Sequence, residues 1–326
     1  MRTPRLALAV LLASLQSTAE NAFDLGHDLR VLPAIQHGAL SVFPVVRRVQ
    51  GTARAGKVLA LAAGLERKQV AVEEVGGGTV NQLRVINRSE QPVLLLGGEI
   101  LLGGRQDRVV AHDQLVPPGA NVVVQVFCVE HGRWAGGQQF GAAAGFAEGG
   151  LRARAKYDGD QGRVWQQVAK KARALGAQSS TGTYRTLAAG KAGESVAAPY
   201  RAAIGARIGA HPEAQRMVGI VAAVGGRVVS VDVFAAPELF AQYRDRMLDS
   251  LYVTAADEPA AAAAAPPPQA AQVKAFWSSA KSAPRREIEK NAASTTTENR
   301  AQGVVGSEVN AKGADVPVFE SVQAHH

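Results

Sequence analysis

Short apolar runs separated by turn signals dominate the chain between residues 41 and 130. Runs rich in Val and bounded by Gly, Pro or Asn are typical of β-strands. After SVFPVV at 41–46 and a short helical run, the chain continues with QVAVEEV, TVNQLRVIN, PVLLL, DRVVAHDQLV and NVVVQVFCVE. This spacing predicts an antiparallel sheet that forms a sandwich or a barrel. Pro44 favours a position at the edge of a sheet for the first of these strands.

Helical spacing appears further along the chain. Residues 161–176 place Val164, Val168 and Leu175 on one stripe, and residues 237–251 repeat such a pattern. Between them, RMVGIVAAVGGRVVSVDVF predicts a hairpin that turns at its two glycines. We therefore predict an α+β fold, in which an antiparallel β-sandwich or barrel-like core is flanked by two or three helices.

The N-terminus has the composition of a secretory signal peptide. Two arginines precede the apolar run LALAVLLASL, and small residues follow it just before Glu20. This order predicts that residues 1–19 are removed and that the protein is exported, either to the periplasm or out of the cell. The apolar run is too short to span a bilayer, so we expect no membrane insertion after cleavage.

Composition also divides the remainder of the chain. An Ala/Pro-rich stretch separates the regular patterns from a polar segment and from two late apolar runs. The predicted divisions are an α+β domain at 20–254, a linker at 255–272, a poorly ordered polar segment at 273–302, and terminal strands returning to the core at 303–326.

Charge and chemistry exclude several classes of partner. The net charge is +8, but the basic residues are scattered and do not alternate with aromatic ones, so we expect no nucleic-acid partner. The seven histidines are dispersed and Cys128 is the only cysteine, so we expect no metal site. No Gly-x-Gly-x-x-Gly opens a helix, and we expect no cofactor. The sequence leaves the oligomeric state open.

The stretch GGEILLGGRQDRVV, residues 97–110, carries the first candidate chemistry. The spacing of Gly98 and Gly103 matches a phosphate-binding loop, but Gly104 and Arg105 stand where Lys and Ser or Thr are needed. A nucleoside-triphosphate loop is therefore excluded. The arginines that follow the second glycine pair suit either an anion site or an Arg–Asp network that ties turns together.

A second candidate motif is FCVEHGRW, residues 127–134. If the strands on either side of PPGAN pair about Gly119, Arg108 lies opposite Glu130 at one sheet edge. Glu99 and Glu130 are candidate general bases, provided that burial raises a pKa. Cys128 is more typical of a small core residue than of a nucleophile. The predicted ligand-binding residues are Glu99, Arg105, Gln106, Asp107, Arg108, Glu130, Arg133 and Trp134.

These motifs, with QGRVWQQV and SVDVFAAPELF after them in the same order, resemble a bacterial family of uncharacterised proteins. That family is named for its association with ADP-ribosylglycohydrolases and rhodanese-like phosphatases. The resemblance covers residues 38–254 and 303–324, and it implies a link to ADP-ribose chemistry without implying an activity. The polar motif positions that it implies are Glu99, Gln106, Arg108, Glu130 and Trp134.

Three functions remain open on the sequence. The first is a binding module for a small anionic ligand of the sugar-phosphate or nucleotide-derivative type. The second is a hydrolase that acts on such a ligand with a Glu general base. The third is a structural envelope protein whose basic surface contacts anionic polymers.

Overall fold

The computed structural model describes residues 22–48, 57–76 and 79–325. The predicted signal peptide lies outside these residues. Most of the described strands are short, in keeping with the spacing of the turn signals. In chain order they are β1 (Phe23–Leu25), β2 (Leu29–Val31), β3 (Ile35–His37), β4 (Leu40–Arg47), β5 (Leu59–Ala60), β6 (Val70–Glu74), β7 (Gln82–Asn87), β8 (Val93–Leu95), β9 (Glu99–Gly103), β10 (Arg108–Val110), β11 (Gln114–Val116), β12 (Asn121–Cys128), β13 (Gln139–Phe146), β14 (Met217–Val224), β15 (Arg227–Phe234), β16 (Arg285–Lys290), β17 (Ser294–Ala301), β18 (Val304–Ala311) and β19 (Phe319–Ala324).

The helices lie mostly in the second half of the chain. They are α1 (Leu61–Glu66), α2 (Gly149–Ala153), α3 (Gln161–Ala174), α4 (Arg185–Ala188), α5 (Lys191–Tyr200), α6 (Ala206–Gly209), α7 (Pro237–Ala255) and α8 (Ala270–Lys281). One π-helical segment, Arg154–Asp158, continues α2, and another, Arg201–Gly205, joins α5 to α6. Local chemistry sets some of these ends. Asp160 caps α3 by accepting a hydrogen bond from the Arg163 amide at 2.9 Å, and Pro237 occupies the first turn of α7.

Ten strands form one large antiparallel sheet with the order β1-β2-β4-β14-β15-β19-β18-β17-β16, and β3 pairs with β4 beside this path. Its centre is the predicted hairpin of β14 and β15. Gly225 and Gly226 form the hairpin turn with φ of 55° and 75°, a conformation that side chains other than glycine rarely adopt. Helix α7 packs on one face of the sheet, and α8 covers the other through Val273 and Trp277.

A closed barrel of six strands stands beside the large sheet, with the order β10-β12-β7-β6-β13-β9. Alternate residues of these strands fill its interior with Val, Leu and Phe side chains. A small sheet of β11, β8 and β5 joins the barrel to the core under α7. Helices α2 to α4 pack on the outside of the barrel around Ile100 and Phe127.

The predicted fold class is confirmed, since the chain is α+β with mostly antiparallel sheets and a closed barrel. The described helices are more numerous than the two or three that we expected, because several of them span only one or two turns. Among the described residues, no helix combines the length and the hydropathy needed to cross a bilayer.

The first strand differs from its predicted place at an edge. Strand β4 lies inside the large sheet, with β14 on one side and β2 and β3 on the other. Pro44 is tolerated there because it falls between the residues that pair with β3 and those that pair with β2. Its carbonyl accepts a hydrogen bond from the Leu32 amide at 2.8 Å on that side, where no strand requires the missing N–H.

The C-terminal part also differs from the sequence prediction. Residues 273–302, which we expected to be poorly ordered, contain most of α8 and the strands β16 and β17. The Ala/Pro-rich segment 255–272 contains the end of α7, a 3₁₀ helix (Ala260–Ala264) and the start of α8. The prediction rested on the polar composition of this segment, but polar side chains of β17 such as Glu298 and Asn299 are buried in the sheet.

Candidate functional site

Each glycine pair of GGEILLGG makes room for a charged side chain at one end of β9. A Cβ atom on Gly97 would lie 2.6 Å from Cγ of Lys156, and one on Gly98 would lie 2.7 Å from Cγ of Arg152. At the other end, a Cβ atom on Gly104 would clash with Cζ of Phe140 and would lie 2.7 Å from Oε1 of Glu74. The motif is therefore a strand with a charged cluster at each end.

The cluster at the C-terminal end of β9, next to Gly103, is called the barrel-end cluster. It contains nearly all of the predicted site residues and two that the sequence did not indicate, Glu74 and Arg185. Its members are Glu74, Arg105, Gln106, Asp107, Arg108, Glu130, Arg133, Trp134 and Arg185.

Asp107 is the centre of this cluster and is fully buried. Arg185 donates to its two carboxylate oxygens, from Nη2 at 2.6 Å and from Nε at 3.0 Å. The Thr183 hydroxyl and the Gly103 amide also donate to it, both at 3.0 Å. This bidentate geometry is among the strongest that a carboxylate can adopt, and it fixes the loop before α4 against the barrel.

Glu130 is bound in a similar way. Arg133 Nε and Nη2 lie 2.8 and 2.7 Å from Oε2 of Glu130, and the Asp107 amide donates to the same oxygen at 3.3 Å. The Gln106 side chain donates to the Glu130 carbonyl at 2.8 Å. Arg133 also donates to the carbonyls of Gly104 and Ala135, at 3.0 and 2.8 Å. The HGRW loop is therefore held in place by one guanidinium.

The predicted pairing of Arg108 with Glu130 is wrong. Arg108 lies opposite Cys128 in the ladder of β10 and β12, so the register differs by two residues from the one we expected. The reason is that DRVVAHDQLV is not one strand, because β11 leaves the barrel and pairs with β8. Arg108 is fully buried, and its Nη2 lies 3.5 Å from Oε1 of Glu74.

Arg108 and Glu130 still lie close together. Arg108 Nη1 donates to the carbonyl of Gln106 at 2.8 Å, and the Gln106 side chain in turn contacts Glu130. Cys128 lies on the same barrel face as Arg108, its Sγ lies 3.7 Å from the Val80 carbonyl, and burial raises the pKa of its thiol. This agrees with its interpretation as a core residue.

The outer rim of the cluster is open to solvent. Trp134 is 48% exposed, which is rare for so large an apolar side chain. The Arg105 guanidinium lies over its ring, 5.6 Å from the centroid, within range of a cation–π interaction. Within the described residues, no carboxylate forms a salt bridge with Arg105. Its amide donates to Oε1 of Glu74 at 2.9 Å, which anchors its backbone.

The charges of the cluster do not balance. Its three carboxylate side chains are no more than 5% exposed, whereas Arg133 and Arg185 are 25% and 47% exposed. The four guanidinium groups of the cluster therefore leave one excess positive charge, and all of them except the fully buried Arg108 are partly exposed to solvent. The cations are Arg105, Arg108, Arg133 and Arg185, and the carboxylates are Glu74, Asp107 and Glu130.

Glu99 does not join this cluster. It begins β9, and the four residues from there to Gly103 span about 13 Å along a strand. Its Oε2 accepts a hydrogen bond from the Leu96 amide at 2.9 Å, and its Oε1 lies 3.6 Å from Nη1 of Arg246. Complete burial, only partly offset by Arg246, raises the pKa of Glu99 to about 7.

Glu99 belongs instead to a second group, called the inner cluster, between the barrel and the large sheet. Sequence reasoning missed its other members, which are Asp113, Arg152, Lys156, Asp232, Arg246 and Ser307. Lys156 Nζ and the Ser307 hydroxyl both donate to Oδ2 of Asp113 at 2.6 Å, and the Gly97 amide donates to Oδ1 at 2.7 Å. Burial alone would raise the pKa of Asp113, but Lys156 and its neighbours hold it below the usual value.

One sequence signal could have indicated part of the inner cluster. Arg152 and Lys156 stand four residues apart in LRARAKY, which places both on one face of a helix. Their partners come from distant strands: Arg152 Nη2 lies 2.8 Å from Asp232 of β15. Such long-range pairs leave no local pattern.

The sequence that forms these clusters matches one known protein family. A family described as the ARG and Rhodanese-Phosphatase-superfamily-associated Protein domain (ARPP-1) matches residues 28–319. The chain belongs to this family. A search of curated proteins and a search of solved structures each found no match. The resemblance to this family indicated five polar positions. Four of them meet in the barrel-end cluster of this ARPP-1 domain, namely Gln106, Arg108, Glu130 and Trp134. The fifth, Glu99, lies outside that cluster.

A metal centre is not indicated in the part of the ARPP-1 domain that the structure describes. No group of three or more His, Cys, Asp or Glu side chains there has a geometry that could hold a metal ion. The groups of the barrel-end cluster that reach the solvent include the Trp134 ring and the guanidinium groups of Arg133 and Arg185.

Proposed function

We propose that this protein is exported and is a binding module for a small ring-bearing anion, of the nucleotide-derivative or sugar-phosphate type. The site is the rim of the barrel-end cluster. The observation that carries the proposal is the half-exposed Trp134 with the Arg105 guanidinium over its ring. This pair offers a stacking surface and a positive charge side by side.

The anionic character of the ligand follows from the charge distribution. The carboxylates of the cluster are buried, and the guanidinium groups of Arg105, Arg133 and Arg185 lie nearer to solvent. Arg133 and Arg185 are already bonded to carboxylates. They therefore contribute to the positive electrostatic potential of the rim, but few of their N–H groups remain free for a ligand. Arg105 has donors to offer a phosphate or carboxylate group, and it is the main anion contact in this proposal.

The rigid support beneath the rim favours binding. Arg133 ties the HGRW loop to the carbonyls of Gly104 and Ala135, so Trp134 is held without help from a ligand. A site that is ordered before binding loses less conformational entropy when the ligand arrives. Loops fixed in this way are common in binding sites that rest on a stable barrel.

Binding is favoured over hydrolysis because neither candidate base is available at the rim. Arg133 occupies Glu130 with two short contacts, and Glu130 is 4% exposed. Glu99 lies at the far end of β9, fully buried. A general base must reach the proton that it removes within hydrogen-bond distance.

Tryptophan fluorescence tests the proposal directly. Trp165 is only partly exposed and Trp277 is buried, so quenching by a stacked ring reports mainly on Trp134. We expect ADP to quench the emission in a saturable way, with adenosine and inorganic phosphate each binding at least about tenfold more weakly. Trp134→Phe should remove the quenching, and Arg105→Ala should weaken ADP binding.

A matched control separates the site from general surface charge. Arg286, an exposed arginine on β16, lies in the large sheet away from the barrel end, so Arg286→Ala should leave ADP binding unchanged. If ADP binds equally well to Arg105→Ala, Arg286→Ala and the unmodified protein, the rim is not the site. If no ring-bearing anion binds at all, the proposed function is wrong.

A further inference from the structure

A second concave surface lies away from the barrel end, where α2, α3 and the β14–β15 hairpin meet. It is a cavity of about 270 Å³. The start of α2 forms one wall, Gln167 and Lys170 of α3 form another, and Arg227 follows the hairpin turn at its edge. Gln161, whose side chain donates to the carbonyl of Cys128 in the barrel strand β12, lies about 13 Å from Lys170 along α3.

The lining of this cavity is basic. It contains Arg154, Lys170 and Arg227, and it contains no Asp or Glu. Lys170 and Arg227 are exposed, and no carboxylate of the described residues forms a salt bridge with either of them. Arg154 donates to Asp158 at 2.8 Å and keeps part of its guanidinium exposed. The cavity therefore carries at least two uncompensated positive charges.

The two adjacent lysines of α3 have different surroundings. Lys171 turns inward, where its Nζ lies 2.5 Å from Oδ1 of Asp257 and 3.3 Å from the carbonyls of Val253 and Thr254. Lys170, the next residue toward the N-terminus, faces the cavity instead. One lysine of the pair thus stabilises the fold, and the other is free to bind an anion.

Small residues shape the floor of the cavity. A Cβ atom on Gly150 would lie 2.5 Å from Nε2 of Gln167, so only glycine lets this side chain cross the start of α2. Glu148 already accepts hydrogen bonds from the amides of Gly150 and Leu151, at 2.9 and 2.8 Å. The helix end is therefore capped, and an anion in the cavity would be held by side chains.

The strands beside the cavity carry polar atoms without partners. Ser230 and Gln323 face each other across β15 and β19, next to the lining residues Val229 and Ala324. The Ser230 hydroxyl and Oε1 of Gln323 are buried and have no hydrogen-bond partner among the described residues. Neither residue lines the cavity itself, so the contacts to an anion there fall to Arg154, Lys170 and Arg227.

We propose that this cavity is a second anion site, which takes a compact phosphate-bearing ligand with more than one negative charge. Two guanidinium groups and one ammonium group around so small a volume suit a ligand of the pyrophosphate class better than a single carboxylate. No aromatic side chain lines the cavity, so a ring is not part of what it recognises. This separates it from the ring-binding rim at the barrel end.

Calorimetric titration with pyrophosphate at low ionic strength tests this site. We expect the unmodified protein to bind pyrophosphate, and the double variant Lys170→Ala/Arg227→Ala to bind it at least about tenfold more weakly. Both substituted side chains are exposed, so an unchanged melting temperature should show that the variant remains folded. Arg173→Ala, on α3 but outside the cavity, should bind like the unmodified protein.

Arg105→Ala distinguishes the two sites. If it retains pyrophosphate binding while the double variant loses it, the anion occupies the cavity. If Arg105→Ala loses binding and the double variant keeps it, the anion binds at the barrel end and the cavity proposal is overturned. Failure of the unmodified protein to bind pyrophosphate at millimolar concentration also overturns it.

Discussion

Glu99 gives the ARPP-1 domain a pH-dependent stability that can be isolated by one substitution. Its carboxyl is fully buried, with one oxygen bound to the Leu96 amide and the other 3.6 Å from Arg246. This environment favours the protonated form and raises the pKa of Glu99 from 4.5 to about 7. In the unfolded chain the pKa returns to its ordinary value.

The direction of the effect follows from this difference. Because the folded protein holds the Glu99 proton more tightly than the unfolded chain, the stabilisation is complete below pH 4.5 and is lost as the pH rises through 7. The shift is 7 − 4.5 = 2.5 pKa units, and each unit corresponds to about 1.4 kcal/mol. Glu99 therefore contributes about 3 kcal/mol of pH-dependent unfolding free energy.

The variant Glu99→Gln should remove this contribution, because its amide keeps an acceptor for the Leu96 N–H and does not titrate. Urea unfolding of both proteins, followed by circular dichroism from pH 4 to 8, measures the difference in unfolding free energy. As the pH rises from 4 to 8, the unfolding free energy of the variant should increase by about 3 kcal/mol relative to that of the unmodified protein. Glu66→Gln, at an exposed position, should show no such shift. A constant difference for Glu99→Gln would show that burial does not raise the pKa of Glu99.

Two other predictions concern the inner cluster and the N-terminus. Lys156→Met should lower the unfolding free energy by about 3 to 5 kcal/mol, because it leaves the fully buried Asp113 without its closest cation. A loss under about 1 kcal/mol in urea unfolding would show that the hydrogen bonds from Ser307 and Gly97 are enough to stabilise the Asp113 carboxylate. N-terminal sequencing of protein recovered outside the cytoplasm should start near Glu20, since export should remove residues 1–19, and intact Met1 as the main form would contradict export.

The sequence predicted strands and helices correctly where the element has one apolar face or one apolar stripe. Helix α3 and the β14–β15 hairpin have the period and the turn residues that their structures require. The polar strand β17 was not predicted, because its sequence STTTENRA lacks an apolar face. Its β-branched threonines were the one local signal that favoured a strand.

The residues that meet in the barrel-end cluster were easier to predict than those of the inner cluster, for a topological reason. Most of the barrel-end residues come from two motifs joined by one local strand connection, so a small error in register still left Gln106 and Glu130 together. Asp113 and Lys156 of the inner cluster lie 43 residues apart, and the ion pair forms only when the π-helical segment after α2 packs under the large sheet. Nothing local in either stretch indicates that contact.

The claim that the barrel-end rim binds a ring-bearing anion is tested most directly by a crystal structure of the protein soaked with ADP. We expect a base stacked on the exposed face of the Trp134 ring and a phosphate group within hydrogen-bond distance of the Arg105 guanidinium. Density for ADP elsewhere, with the Arg105–Trp134 pair unoccupied at saturating ligand, would contradict it.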